Sequence, residues 1–156
     1  MLLKAIELAR HNVQAGGGPF GALIVLNDPT TGEGQIVGEG TNRVTANNDP
    51  TAHAEVVAIR QACARLNRFS LAGAHIFTSC EPCPMCLGAI HWARLDKIWF
   101  AATRQDAARI GFDDELLYRE ISRPIQERAI PLQQLAHEEA LGMMQAWATH
   151  PNRVPY

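Results

Sequence analysis

Cys83 and Cys86 stand three residues apart in SCEPCPMC, and His53 stands thirty residues upstream in PTAHAEVVAIR. Thiols at positions i and i+3 leave one turn of a helix on the same side. Two thiolates at about 2.3 Å from a tetrahedral zinc lie under about 4 Å from each other, which that spacing can meet. Pro84 suits a first helical position, where its missing N–H is no loss, so the pair is expected to open a helix. There the macrodipole and the unpaired backbone N–H groups favour thiolate over thiol. His53 can add a neutral imidazole only if a second helix starts at the same end of a sheet. No other feature of the chain restricts its fold as much.

The rest of the sequence supplies such an arrangement. Leu2, Ile6, Ala9 and Val13 recur at helical spacing, and Gly16, Gly17 and Gly18 stop the pattern. FGALIVL (20–26) and QIVGEG (35–40) read as strands around NDPTTGEG, whose Asp-Pro and glycines mark a hairpin loop. After the polar loop NRVTANNDP, Thr51 is the expected N-cap of a helix from about 52 to 66. Its buried stripe would be Val56, Ile59, Cys63 and Leu66. HIFTS (75–79) and KIWFAA (97–102) are strands, and CPMCLGAIHWAR between them is a helix. QDAARI and residues 113–122 are short helices. ERAIPLQQ holds an edge strand, since Pro131 argues against a central one. HEEALGMMQAWATH is a last helix, and PNRVPY an irregular tail. The order predicts an α/β chain, a three-layer α/β/α sandwich around a mixed sheet of five strands, with residues 1–156 as a single domain. In such open sheets ligands gather at the carboxyl ends of the strands.

Composition excludes several classes of function. The 14 basic residues, twelve of them arginine, are scattered and outnumbered by 16 acidic ones. A nucleic-acid partner would call for a basic cluster or surplus, and neither is present. No apolar run approaches a membrane span, and Glu7 and Arg10 interrupt the N-terminus where an export signal needs its apolar core. The expected location is therefore the cytoplasm. In that reducing setting the four cysteines (63, 80, 83 and 86) point to metal binding or redox chemistry before disulfides.

Three protein ligands would leave a fourth zinc position for water, whereas a structural zinc is closed by four. Zinc lowers the pKa of bound water toward neutrality. Glu55, two residues from His53, can stand beside the metal without ligating it, where it would take the water proton and return it to a leaving group. Cys63 falls on the expected buried stripe and reads as a packed thiol. Cys80 remains a rival fourth ligand, which would make the chain a closed, zinc-stapled interaction domain. A redox Cys-x-x-Cys pair would explain neither His53 nor Glu55.

His53-Ala54-Glu55 followed by Pro82-Cys83-Pro84-Met85-Cys86 resembles the His-x-Glu…Pro-Cys-x-x-Cys signature of zinc nucleobase deaminases. GGPFGALIV, GTNRV, NDPTAHAEVVAIR, TSCEPCPMCLGAIHWAR, RIGFDDELLY and the closing Tyr156 extend the likeness over nearly the whole chain. Together they resemble the small zinc-dependent guanine deaminases, which have the cytidine deaminase-like fold. The segments through the metal signature are shared across that superfamily; His91-Trp92-Ala93-Arg94, Gly111-Phe112-Asp113-Asp114 and the terminal tyrosine discriminate within it. The resemblance implies hydrolysis of guanine to xanthine and ammonia, with one zinc per subunit held by His53, Cys83 and Cys86. It implies Glu55 as proton shuttle and Asp114 as a second one near the amine. Asn42 would hydrogen-bond the purine, Phe20 and Trp92 would line its faces, and Ala54 would touch it. Tyr156 would close the pocket of a partner in a homodimer that exchanges a segment of about 135–156. The NDPTTGEG loop looks longer than is usual for these enzymes.

The residues themselves support this in part. A purine is flat and rimmed with polar atoms, which aromatic faces and an amide suit. The acidic run Asp113, Asp114, Glu115 would repel a phosphate near the pocket, favouring a free base over a nucleotide. Trp92 also lies seven positions after Met85, a spacing that suits core packing equally. A tRNA adenosine or nucleoside deaminase of the same superfamily is the alternative reading.

Overall fold

The computed structural model describes residues 1–28 and 30–156. They divide into two units, residues 1–114 and 115–156. The first unit opens with α1 (Leu2–Gln14), which ends where Gly16 takes a left-handed conformation at φ 83°. Its buried residues are Ala5, Ala9 and Asn12, while Val13 is exposed, so the inner face is rotated from the predicted stripe. β1 (Gly21–Asn27) and β2 (Gly34–Thr41) pair antiparallel as the expected hairpin. Pro29, part of the predicted loop, lies outside the described residues. Asp28 accepts hydrogen bonds from the N–H groups of Thr30 and Thr31, at 2.7 and 3.0 Å, and so turns the chain.

A four-residue helix, α2 (Val44–Asn47), interrupts the polar loop and leads to α3 (Ala54–Leu66). The N-cap of α3 is His53, in extended conformation, rather than Thr51, whose hydroxyl donates to Asp49 instead. The core-facing residues of α3 are Ala54, Glu55, Ala58, Ile59 and Ala62. Val56, Cys63 and Leu66 of the predicted stripe are half-buried. Small residues won this face because β2 lies so close. A Cβ at Gly40 would come within 2.6 Å of the amide nitrogen of Ala58 and collide with the carbonyl of Ala54. One at Gly38 would sit 2.9 Å from the Ala62 methyl group. Backbone lies almost against backbone there, which glycine alone permits.

β3 (Ala74–Cys80), α4 (Pro84–Trp92), β4 (Lys97–Ala102) and α5 (Arg104–Ala108) complete the unit. The strand order is β2-β1-β3-β4, with β1 antiparallel to both neighbours and β3 parallel to β4. β1 serves two cores. Ala22 and Ile24 join Val37, Ala58, Ile76 and Ile90 on the side of α3 and α4. Leu23 and Val25 join Ala5 on the side of α1. The predicted three layers and mixed sheet are present. Because β2 and β3 run in the same direction, the helices that follow them, α3 and α4, both start at one end of the sheet.

The second unit holds α6 (Glu115–Ser122), a 3-10 turn (Ile125–Glu127) and α7 (His137–Thr149). The fifth strand expected in ERAIPLQQ does not form: among the described residues the sheet has four strands, not five. Pro131 brings no N–H to a ladder. The N–H of Ala129 is already given to the Glu120 carboxylate at 2.7 Å. No residue of this unit is buried. Among the described residues no helix is long and apolar enough to cross a membrane.

Candidate active site

The two helix starts bring His53, Cys83 and Cys86 together. His53 precedes the first turn of α3, and Cys83 holds the same place on α4, with Pro84 at the first helical position. Cys86 lies one turn in and is buried. His53 Nδ1 is 3.6 Å from Cys83 Sγ and 3.5 Å from Cys86 Sγ. Sulfur and nitrogen ligands on one edge of a zinc tetrahedron are about 3.6 Å apart, from bond lengths of about 2.3 and 2.05 Å. The three side chains therefore fit a zinc ion through Nδ1 and two sulfurs. Their ligating atoms all lie within 4.8 Å of one another, and among the described residues no other group of histidine, cysteine or carboxylate side chains does this.

Cys80 stays outside that set. Its sulfur contacts the carbonyl of Thr103 at 3.6 Å, and burial, followed by the charge of Glu55, raises its thiol to about 11. A closed four-ligand site is therefore not what this geometry forms. Cys63 is half-buried against the core, as a packed thiol should be.

The three ligand side chains shift one another's acidity. The Cys86 thiol donates to Cys83, and with His53 beside it this hydrogen bond lowers Cys83 to about 4. Cys86, as the donor and buried, is pushed well above the usual thiol range. The Cys83 hydrogen bond raises His53. One sulfur is already ionised, and the other holds its proton tightly, so a cation bound by both must displace that proton.

Glu55 is buried on the first turn of α3, outside the ligand set but in range of it. Burial, then the charge of Cys83, pushes its carboxyl above the ordinary glutamate value. Thr78 Oγ1 on β3 donates to Glu55 Oε1 at 3.4 Å. Asp114 is half-buried, and its carboxyl too is raised by burial and then by the Cys83 charge, against the pull of Arg104. The Cys83 charge thus acts on both carboxyls in the same sense as their burial.

Phe20 precedes β1 and Asn42 follows β2, at the end of the hairpin where Gly21 pairs with Thr41. The Asn42 N–H donates to the Phe20 carbonyl at 3.1 Å, joining the two segments. Asn42 Oδ1 accepts from Val44 N–H at 3.3 Å, which leaves Nδ2 as the amide's donor. Phe20 packs edge-to-face on Phe112 with ring centroids 4.9 Å apart, tying this corner to the segment that ends in Asp114. Ala54 is fully buried between His53 and Glu55.

Trp92 is 64% exposed, so it is not the core residue its spacing allowed. It ends α4, about 12 Å along the helix axis from Pro84, with the Arg94 guanidinium 5.9 Å from its ring centroid. Tyr156 belongs to the second unit and is 74% exposed.

Two residues with a part here were not picked out from the sequence. Thr78 sits in the row Ala74, Ile76, Thr78, Cys80 that β3 turns toward α3 and α4, where a hydroxyl is out of place. Asn12 follows Ala5 and Ala9 on the buried face of α1. Its Nδ2 donates to the carbonyls of Gly18 at 2.8 Å and Asn42 at 3.0 Å. In both cases the available signal was a polar residue at a buried position.

Residues 1–102 match the family model of the cytidine and deoxycytidylate deaminase zinc-binding region. The guanine deaminase of Bacillus subtilis (strain 168) is 51% identical over 156 residues, 99% of this chain and 96% of that protein. The X-ray structure of guanine deaminase from Bacillus subtilis superposes with a TM-score of 0.92 at 50% identity, over 99% of this chain and 96% of the other. A mutant protein solved in complex with 8-azaguanine gives a TM-score of 0.67 at 34% identity, over 73% of this chain and 63% of its own.

Proposed function

The chain belongs to the cytidine and deoxycytidylate deaminase zinc-binding family and, within it, to the guanine deaminases, and from that premise we propose that it hydrolyses guanine to xanthine and ammonia with one zinc ion per subunit. The observation that carries this is the 51% identity to the Bacillus subtilis guanine deaminase over the full chain. That match runs well past residue 102, where the family model ends, so it includes the segments that distinguish one deaminase from another.

His53, Cys83 and Cys86 hold the zinc. When bound, zinc acidifies water and so supplies a hydroxide nucleophile near neutral pH. Glu55 carries protons. Its buried carboxyl, held above the ordinary glutamate value, takes a proton and gives it back to the departing amine. Asp114 acts as a second shuttle on the amine side, its carboxyl raised in the same sense. Asn42 presents Nδ2 to an acceptor on the purine, and Phe20 offers an aromatic face. Ala54, between His53 and Glu55 on the first turn of α3, touches the purine. Trp92 and Tyr156, both exposed, serve the pocket only if a second copy completes its rim.

A homodimer that exchanges residues of about 135–156 answers a further need. Leu116, Leu117, Ile121, Met143, Met144 and Trp147 are exposed in a unit that buries no residue. Apolar surface on this scale calls for a partner, and a second copy carrying the same segment is one. Two ligand thiols suit a reducing compartment, which supports the cytoplasm as its place.

Ammonia release from guanine, adenine, cytosine, their nucleosides and tRNA tests the proposal. Guanine is expected to be the preferred substrate, with xanthine formed in step with ammonia. Activity confined to a nucleoside or to tRNA would remove the reading.

A further inference from the structure

Four residues of β3 turn toward α3 and α4, namely Ala74, Ile76, Thr78 and Cys80, and all four are buried. Thr78, 1% exposed, is the only one with a hydroxyl. Packing does not ask for it. Valine has the same shape, favours strands as strongly and carries no polar atom to desolvate. The hydroxyl instead reaches the carboxylate of Glu55, donating to Oε1 at 3.4 Å across the space between strand and helix. We propose that Thr78 is a positioning residue for Glu55: by holding Oε1, it sets the rotation of the carboxylate and leaves the other oxygen to exchange protons with the substrate and its nucleophile.

A glutamate side chain turns about three bonds, and a carboxylate flips readily about the last. A proton carrier must present one oxygen in one direction during both halves of the reaction. The first turn of α3 fixes the backbone of Glu55, and the hydroxyl from the neighbouring strand holds the far end of its side chain. The contact is long for an O–H···O hydrogen bond, as catalytic hydrogen bonds often are before substrate binds, tightening in the complex. The inference rests on the reading of Glu55 as the proton carrier given above.

The test compares zinc-loaded wild-type, Thr78→Val and Thr78→Ser chains in guanine turnover, with zinc content and 8-azaguanine binding measured in parallel. Thr78→Val is expected to lower kcat about tenfold to hundredfold, the worth of a hydrogen bond to a charged group. KM and 8-azaguanine affinity are expected to stay within about twofold, because the loss falls on the reaction and not on binding. Thr78→Ser, which keeps the hydroxyl and drops the methyl, is expected to recover most of the rate. Three results overturn the inference: wild-type kcat in Thr78→Val, an equal loss in Thr78→Ser, or a loss that tracks zinc content. If the wild-type chain deaminates another base of the panel and not guanine, the guanine reading falls and the same comparison is made on that base. A chain inactive on every base removes both.

Discussion

His53 Nδ1 lies 3.5 Å from Cys86 Sγ, although the two residues are thirty-three positions apart. Parallel β2 and β3 start α3 and α4 from the same end of the sheet, and each helix brings its ligand at or just inside its first turn. Metal binding here is therefore a property of the topology as much as of the side chains.

Loading zinc should release protons. Cys83, lowered to about 4, is already ionised at neutral pH, but Cys86 is raised and must give up its proton to become a ligand. His53 is raised as well, which adds to the proton release in the same direction. An indicator assay in weak buffer at about pH 7 should read at least one proton per zinc, with affinity falling as the solution is acidified. Affinity that ignores pH would count against this ligand set.

Glu55→Gln should retain zinc and lose the reaction. The amide keeps the shape but cannot carry a proton, so kcat is expected to fall by about 10²- to 10⁴-fold, the usual contribution of a positioned acid or base. Metal analysis and turnover on one sample decide it. Loss of zinc in this variant would mean that Glu55 is a ligand.

Gly40→Ala should weaken the site from a distance. The added methyl would push on the Ala54 carbonyl and the Ala58 nitrogen, so α3 must move, taking His53 and Glu55 with it. Overpacking of this kind costs about 1–3 kcal/mol. Denaturant unfolding should show that loss together with weaker zinc binding. Unchanged stability and affinity would show that α3 has room to spare.

The acid limb of stability should include Asp106. Thr103 donates to its carboxylate through Oγ1 at 2.7 Å and N–H at 2.9 Å, and these hydrogen bonds hold Asp106 below the ordinary value of 3.8. A carboxyl whose pKa is lower folded than unfolded stabilises at pH above the unfolded value. That contribution is lost as pH falls through the folded one. Thermal unfolding of Asp106→Ala, followed from about pH 6 to about pH 2, should lose less stability than the wild type over the lower part of that range. Parallel curves would show that the cap of α5 contributes nothing to acid sensitivity.

The parts legible in the sequence were those marked by spacing and by chain breakers. The Cys-x-x-Cys pair behind Pro84 announced both a helix start and two ligands, and the glycine stop after α1 fell where it was read. Of the large apolar residues expected on the inner face of α3, only Ile59 is buried. In fact Gly38 and Gly40 draw the helix in until alanines fit. Thr51 looked like a cap from its residue type, yet Asp49 held its hydroxyl. The fifth strand failed because a carboxylate eleven positions before Pro131 captured the N–H that pairing would have used, a contact no local pattern records. Asn12 and Thr78 escaped notice for a similar reason. Each makes its bonds to distant residues, and each stands in a row whose other members are apolar or small.

The reaction proposed for this chain depends on a metal held by three protein atoms, with one corner left to solvent. X-ray absorption of the zinc-loaded chain measures this directly. The predicted first shell is two sulfurs at about 2.3 Å and two lighter atoms near 2.0 Å, one of them the nitrogen of His53 and the other from solvent. A third sulfur in that shell, drawn from Cys80, would close the site and contradict the assignment of this chain as a catalyst.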